Sequence, residues 1–148
     1  MCAVKTRTAA TAIATIVLAY LLSLALVKGL SLALGTELPL AVVSSWSMEP
    51  VLHIGDMIVL RGGAPGVGDI VVYYRGKYVV HRVVSVRKDS GVLEVETKGD
   101  ANMAPDGYVK LDRVKGVVVV VVPYIGVIKL AVDRALSATA LPQAKGAN

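Results

Sequence analysis

Ser47 is the residue whose setting first suggests chemistry. It follows the extended-looking run Leu40-Ala41-Val42-Val43 and precedes Met48-Glu49-Pro50. Proline lacks a backbone N–H and disfavours helical angles in the residue before it, so the chain is expected to leave its strand in a bend at Ser47. A hydroxyl at such a bend can point into a cleft and act as a nucleophile once a base removes its proton.

Ser45 is a candidate partner of this serine. It lies two residues earlier, where strand alternation would place both side chains on one face. Its hydroxyl could help to bind an oxyanion together with the backbone N–H of Ser47. In the alternative interpretation, Ser44 and Ser45 only satisfy backbone groups of the loop.

His81 is the candidate general base, because it stands in the otherwise mostly apolar stretch Tyr78 to Val84. Imidazole ordinarily titrates near neutrality, so it can accept a serine proton without the special tuning that a lysine needs. A lone core histidine is more often a hydrogen-bonded structural residue, and that interpretation stays open. The second histidine, His53, is expected to pack the loop before Gly55 and Asp56.

Two acids, Asp100 and Asp106, lie in a segment rich in turn formers, Thr97 to Gly107. Either carboxylate could orient His81 and complete a Ser-His-Asp relay, which is defined by geometry and not by chain order. Both could also be solvated loop residues, and their spacing does not choose between them. The single cysteine, the two histidines and the scattered acids show no metal-ligand spacing, so neither a metal nor a cofactor is expected.

The elements that carry these residues begin with a membrane anchor. Residues Ala9 to Val27 form an apolar run that would extend over about 28 Å as a helix, close to the thickness of a bilayer core. The span either ends at Lys28 or continues, because the apolar pattern resumes after that residue, as a longer tilted helix to Gly35. The longer transmembrane helix, over residues 9–35, is expected. Basic residues without a nearby acid favour a cytoplasmic segment 1–8 and a domain on the outer face. A cleaved signal peptide is the alternative.

The rest of the chain predicts a compact, mainly β domain. Short β-branched runs separated by glycine and proline extend over residues 36–132, with tight turns expected at Arg75-Gly76-Lys77 and Asp89-Ser90-Gly91. Residues 133–148 form a C-terminal tail, either a short helix or frayed. The expected strands are Leu40–Val43, Met57–Leu60, Asp69–Tyr74, Lys77–Val86, Val92–Thr97 and Val114–Val122.

Composition favours a membrane protein and argues against a nucleic-acid partner. Hydrophobic residues make up 55% of the 148 residues, and the mean hydropathy is +0.64. This is well above an ordinary soluble domain. The net charge is +5, but the basic residues are scattered and do not interleave with aromatic residues, so no nucleic-acid binding is expected.

These motifs together resemble the type I signal peptidases, in their archaeal and endoplasmic-reticulum branch. The resemblance covers nearly the whole chain and rests on several motifs in the same order. They are Lys28-Gly29-Leu30, Val43-Ser44-Ser45-Trp46-Ser47-Met48-Glu49-Pro50, His53-Ile54-Gly55-Asp56, Gly68-Asp69-Ile70-Val71-Val72, Val80-His81-Arg82-Val83, Thr97-Lys98-Gly99-Asp100 and Val122-Pro123-Tyr124-Ile125-Gly126.

The resemblance implies a fold and a role for each candidate residue. The fold would be the signal-peptidase-like (LexA-like) β domain behind one N-terminal transmembrane helix. Ser47 would be the nucleophile and His81 the base. Asp106 would be the acid of the triad, and Asp100 would support the loop or the site. Ser45 corresponds to a serine that assists the oxyanion, together with Ser47.

One residue departs from the family pattern. The residue before the nucleophile is usually glycine, and here it is Trp46. If that position required a positive φ, tryptophan would be strained there. The bend could instead be built differently, with the indole beside the cleft or at the membrane surface.

The implied activity is that of a membrane-bound serine endopeptidase, which removes signal peptides from exported preproteins through an acyl-enzyme. The substrate would lie extended along the edge strand formed by Leu40, Ala41, Val42 and Val43. The expected partners are preprotein signal peptides and membrane lipid, with the protein-export channel as a further candidate. The protein would sit in the cell membrane. The alternative is a non-catalytic, membrane-tethered β domain that binds peptides or scaffolds the export machinery.

Overall fold

The computed structural model describes residues 2–139, which begin with a long helix, α1 (Cys2–Leu34). The stretch Thr11–Leu34 within it has 24 residues and a mean hydropathy of 2.1. At the helical rise per residue this stretch extends over about 36 Å, enough to cross a bilayer core. Its most apolar part is not buried inside the protein.

Helix α1 ends in a Schellman motif, which passes the chain to the domain. The N–H of Gly35 donates to the carbonyl of Leu32 (3.3 Å), and that of Thr36 donates to Ser31 (3.1 Å). Gly35 has a φ of 62°, which glycine adopts without the steric cost that a Cβ would bring. The helix end is then held to the sheet, because the N–H of Gly62 donates to the carbonyl of Leu34 (2.8 Å).

The domain is a seven-stranded sheet in which all neighbouring strands are antiparallel, in the order β1-β2-β7-β3-β4-β5-β6. The expectation of a mainly β domain behind one apolar helix is therefore confirmed. A one-turn 3-10 helix (Leu111–Arg113) precedes β7, and helix α2 (Val127–Thr139) follows it. The strands are β1 (Leu40–Val42), β2 (Met57–Arg61), β3 (Ile70–Tyr74), β4 (Tyr78–Asp89), β5 (Val92–Lys98), β6 (Gly107–Lys110) and β7 (Val114–Val122).

The structure differs from the sequence-based expectation at several points. Strand β1 ends at Val42. Val43 leaves the β1–β2 pairing, with its N–H donating to Asp56 and its carbonyl accepting from Gly55, both at 2.9 Å. Strand β6 was not expected, and helix α2 begins at Val127. Residue 1 of the expected N-terminal segment and residues 140–148 of the expected tail lie outside the described residues.

The core consists of two apolar clusters on opposite faces of the sheet. Val71 and Val72 are neighbours on β3 but belong to different clusters, because successive strand residues face opposite sides. One cluster holds Val43, Met48, Leu52, Ile58, Leu60 and Val72, and the other holds Val71, Tyr73, Val83, Val95 and Val109.

The strand register places several polar side chains on the face of the sheet that holds the cluster of Val71 and Tyr73. Val71 pairs with His81 across β3 and β4, so Tyr73, two residues along β3, shares the face of His81. Thr97 on β5 pairs with Val83, two residues along β4 from His81, and also with Gly107 on β6. Tyr73, His81 and Thr97 therefore converge near the start of β6.

Candidate active site

Ser47 lies in a turn beyond the end of strand β1, where the sequence predicts a bend. The N–H of Glu49 donates to the carbonyl of Trp46 (3.1 Å), and that of Leu52 donates to Met48 (3.0 Å). Met48 is buried in the first core cluster and holds the turn against the domain. Ser47 itself is half-buried and lines a cavity.

Ser45 lies beside Ser47, although both residues lie in the bend and turn beyond β1 and not in a strand. Their hydroxyl oxygens are 3.2 Å apart, and either can be the donor. Both serines line the same cavity of about 480 Å³. The two hydroxyls can therefore face one bound molecule.

His81 enters the same cavity from strand β4 and is almost completely buried. Its Nδ1 is hydrogen-bonded to Oδ2 of Asp106. An ionised carboxylate can only accept, so Nδ1 carries the proton and Nε2 is the nitrogen left free to accept one. This is the tautomer that a general base acting on a serine requires.

Asp106 holds its position through several further bonds. Its Oδ2 also accepts from the hydroxyl of Thr97 (3.0 Å) and from the hydroxyl of Tyr73 (3.2 Å). Its backbone carbonyl accepts from Nη1 of Arg75 (2.9 Å). Thr97, Tyr73 and Arg75 were not among the residues that the sequence suggested for the site.

Asp100 has a different partner. Arg82 donates to both of its carboxylate oxygens, from Nε at 2.9 Å and from Nη2 at 2.7 Å. The hydrogen bond to Asp100 raises the pKa of the Arg82 guanidinium above its ordinary value, and partial burial opposes that shift. The structure thus brings Asp106 to His81, whereas Asp100 ties the loop to the residue that follows His81.

The cavity lies between strand β1 and the β3–β4 hairpin. Of the predicted substrate segment, Ala41, Val42 and Val43 line it, whereas Leu40 is not among its lining residues. Asn102 lines it as well and was not predicted from the sequence. The predicted site residues that meet there are Ser45, Ser47, His81, Asp106, Ala41, Val42 and Val43.

Trp46 and His53 both lie outside the residues that line this cavity. Trp46 is 69% exposed, and the non-glycine residues with positive φ in the described chain are Ser90 and Tyr124. The turn is therefore built without the strain that a glycine-requiring position would impose on tryptophan. The side chain of His53 is half-exposed, and its Nε2 lies 3.4 Å from Oε2 of Glu49. The centre of its ring is 6.4 Å from that of Tyr124.

A metal site has no support in the part of the chain that the structure describes. Within residues 2–139 no three histidine, cysteine, aspartate or glutamate side chains lie close enough together to hold an ion. The chemistry available at the cavity is that of a hydroxyl, an imidazole and a carboxylate.

Fold and site together bring a serine and a hydrogen-bonded His–Asp pair to one cavity of a β domain that follows an N-terminal apolar helix, and these are the residue types that Ser-His-Asp hydrolases use. No family model matches the chain. The signal peptidase complex catalytic subunit sec11 of Pyrenophora teres f. teres is 40% identical over 124 residues, which cover 72% of this chain and 70% of that protein. The chain belongs to this family of signal peptidase catalytic subunits.

Mammalian relatives match over a shorter stretch. The signal peptidase complex catalytic subunit SEC11C of Homo sapiens is 43% identical over 86 residues, which cover 53% of this chain and 45% of that protein. The same subunit of Mus musculus has the same identity and coverage. The chain thus spans somewhat less than half the length of these relatives.

Proposed function

We propose that this protein is a membrane-anchored serine endopeptidase that removes signal peptides from exported preproteins. The observation that carries the proposal is that Ser47 and His81 line one cavity while Nδ1 of His81 is bonded to Asp106. Family membership supports it, because the relatives bear the name of signal peptidase catalytic subunits. None of the observations favours the non-catalytic alternative.

The proposed reaction passes through an acyl-enzyme. Nε2 of His81 takes the Ser47 proton as the serine oxygen attacks the scissile carbonyl, and the imidazolium then gives that proton to the leaving amine. Water, deprotonated by the same nitrogen, hydrolyses the ester and regenerates Ser47. Asp106 keeps the ring in the required tautomer and stabilises the positive charge that forms on it.

The oxyanion of the tetrahedral intermediate would be bound by the backbone N–H of Ser47 and the hydroxyl of Ser45. The 3.2 Å separation of the two hydroxyl oxygens supports this, because a group bound to Ser47 lies within reach of Ser45. Donors that are in place before the reaction need no reorganisation as charge develops.

The substrate would lie extended against strand β1, which is the last strand at one end of the sheet. Backbone groups along Leu40 to Val42 would pair with the substrate and read little of its sequence, whereas both backbone groups of Val43 are already bonded to Asp56 and Gly55. Selectivity would come from the apolar walls of the cavity, to which Val42, Val72 and Val80 contribute. Such walls favour small apolar side chains near the cut.

The proposed location is the cell membrane, with the N-terminus in the cytoplasm and the β domain on the outer face. Helix α1 supports a single span, and the basic residues Lys5 and Arg7, which precede its apolar stretch, support this orientation. The proposed partners are preprotein signal peptides and membrane lipid, with the protein-export channel as a further candidate. The anchor would bring the site to a substrate that is itself held in the bilayer.

The test is cleavage of a purified preprotein in detergent by the wild-type protein, Ser47→Ala and His81→Ala. Both variants are expected to lose cleavage by at least about 1,000-fold, because each removes a member of the relay. His53→Ala and Ser90→Ala are matched controls, since both residues lie outside the cavity lining, and they should cleave like wild type. Cleavage by Ser47→Ala at the wild-type rate, or no cleavage by any form, would overturn the proposal.

A further inference from the structure

Asp106 is fixed at its backbone as well as at its carboxylate. Its N–H donates to the carbonyl of Thr97 at 2.8 Å, and its carbonyl accepts from Arg75. The hydroxyl of Thr97 then reaches the carboxylate of the same residue at 3.0 Å. Thr97 therefore contacts Asp106 through both its backbone and its side chain.

The two hydroxyls on Asp106 are completely enclosed by protein. Thr97 is 0% exposed and Tyr73 is 1% exposed, and both donate to Oδ2, the oxygen that also accepts from His81. A buried hydroxyl without a partner is costly, and a charged acceptor gives the stronger kind of hydrogen bond. Because both hydroxyls donate to this single oxygen, they set the direction in which it faces the imidazole.

We propose that Thr97 and Tyr73 are positioning residues, which hold Oδ2 of Asp106 against Nδ1 of His81. The inference rests on the proposed function and extends it to residues that do not touch the substrate. Thr97 fixes the carboxylate relative to β5, and Tyr73 fixes it relative to β3. His81 extends from β4 between them, so the three strands together set the angle of the imidazole ring.

The protonation state of Tyr73 agrees with its role as a hydrogen-bond donor to Asp106. Burial raises the pKa of its phenol above the ordinary value, the Thr97 hydroxyl opposes this shift, and the nearby Asp106 charge acts in the same direction as burial. The phenol therefore stays protonated and remains a donor throughout the pH range in which a histidine base works.

The first experiment reads the geometry without using cleavage. The chain has two histidines, so the Nδ1–H proton of His81 can be observed by NMR in protein labelled with ¹⁵N-histidine and assigned by its loss in His81→Ala. Thr97→Val keeps the shape of the side chain and removes its hydroxyl. This proton resonance is expected to move upfield or broaden in Thr97→Val and in Tyr73→Phe, and to stay in place in Thr97→Ser.

The second experiment separates positioning from a merely structural role. Steady-state cleavage is measured over a range of substrate concentrations for wild type, Thr97→Val, Asp106→Asn and the double variant. Thr97→Val is expected to lower kcat roughly 10-fold and to leave KM nearly unchanged. A roughly 10-fold loss is the size of effect expected from removing one hydrogen bond to a charged group. In the Asp106→Asn background the same substitution should cost less than about 2-fold, because the carboxylate that it orients is absent. Thr97→Ser should restore kcat.

Two results would overturn the proposal. One is an unchanged Nδ1–H resonance in both Thr97→Val and Tyr73→Phe. The other is an equal loss of kcat from Thr97→Val with and without the Asp106 carboxylate. If Thr97→Val does not fold, Tyr73→Phe alone decides, since it removes one oxygen from a ring that stays in place. Absence of cleavage in the wild type would count against the proposed function and leave the NMR comparison able to test this inference.

Discussion

At the scale of single residues, Asp100 and Asp106 differ in the groups that pair with their carboxylates. Asp100 receives two hydrogen bonds from the Arg82 guanidinium, so its charge is paired. The carboxylate of Asp106 meets the imidazole and two neutral hydroxyls, so most of its charge remains to act on His81. A carboxylate with unpaired charge stabilises an imidazolium far better than one held by an arginine.

Replacing each acid by its amide should therefore give unequal effects. Asp106→Asn is expected to lower kcat by about 1,000-fold or more, because an amide neither fixes the tautomer nor stabilises the imidazolium. Asp100→Asn should lower it by less than about 10-fold, through looser packing of its loop around a part-exposed ion pair. Both rates are measured on one preprotein. An equal loss in the two variants would contradict this assignment.

Tyr73 gives a prediction about pH. Its folded-state pKa lies above the ordinary value of 10.0, chiefly because burial disfavours the phenolate. Its contribution to the free energy of unfolding is fully present below pH 10 and is lost as the pH rises above that value, where the unfolded chain releases the proton first.

Thermal unfolding in detergent from pH 8 to 11 measures this contribution. The midpoint of wild type should fall more steeply above pH 10 than that of Tyr73→Phe, so the gap between the two proteins narrows there. The difference between the two curves removes the contribution of the other tyrosines and of the lysines, which titrate in both. Parallel curves across the whole range would show that Tyr73 does not contribute in this way.

At the scale of elements, the loop that holds Asp100 and Asp106 also contacts the turn that holds Ser47. The N–H of Ala101 donates to the carbonyl of Ser47 at 3.0 Å. Gly99 passes so close that a Cβ there would lie 2.6 Å from the same carbonyl oxygen and 2.8 Å from Nδ2 of Asn102. The loop therefore sets the distance between the serine and the histidine–aspartate pair.

Gly99→Ala should consequently damage activity more than stability. The contact at 2.6 Å is with a backbone oxygen that cannot move aside without moving Ser47. Because a displacement of about 1 Å can cost 100-fold in rate, kcat is expected to fall by roughly that factor. Overpacking should lower the free energy of unfolding by about 1–3 kcal/mol.

The matched control for this prediction is Gly66→Ala. The nearest atom to a Cβ at Gly66 is Oδ2 of Asp69 at 3.8 Å, an ordinary contact, so this variant should resemble wild type in both measurements. Full activity of Gly99→Ala at wild-type stability would show that the loop does not fix the position of the serine.

The strands themselves were largely predictable, whereas their register was not. β-Branched runs bounded by glycine and proline locate β2 to β5 and β7 to within a few residues. Strand β6 (Gly107–Lys110) was not predicted, because it has only four residues and follows a turn-rich segment. The roles of Tyr73 and Thr97 depend on which strands pair and in what register, and a period of two does not encode that. Asp106 could be chosen over Asp100 only by resemblance until the geometry was known.

At the scale of the whole molecule, helix and domain are joined by a short and tightly held connection. The hydroxyl of Thr36 donates to the carbonyl of Lys115 at 2.5 Å, and a Cβ at Gly62 would lie 1.9 Å from the carbonyl oxygen of Gly35. The amine of Lys115 also meets Glu37 at 3.0 Å. In the proposed location, an anchor held in this way would keep the domain at the membrane surface, where a substrate with its own membrane segment would arrive.

The proposed orientation of that anchor can be tested with the single cysteine of the chain. Cys2 precedes the apolar span, and the fully exposed Met103 lies in the domain beyond it. A membrane-impermeant maleimide added to intact cells should therefore label Met103→Cys in a Cys2→Ser background and leave Cys2 of the wild-type protein unlabelled. After permeabilisation Cys2 should be labelled as well, because the bilayer no longer separates it from the reagent.

The opposite pattern, with Cys2 labelled from outside and Met103→Cys protected, would place the domain in the cytoplasm. The same experiment also tests the alternative that the apolar segment is a cleaved signal peptide. A removed leader would take Cys2 with it, so the wild-type protein would stay unlabelled even in permeabilised cells, and its mass would be lower by that of the leader. Labelling of Cys2 in the full-length membrane fraction would instead support a retained anchor, with the two ends of α1 on opposite sides of the bilayer.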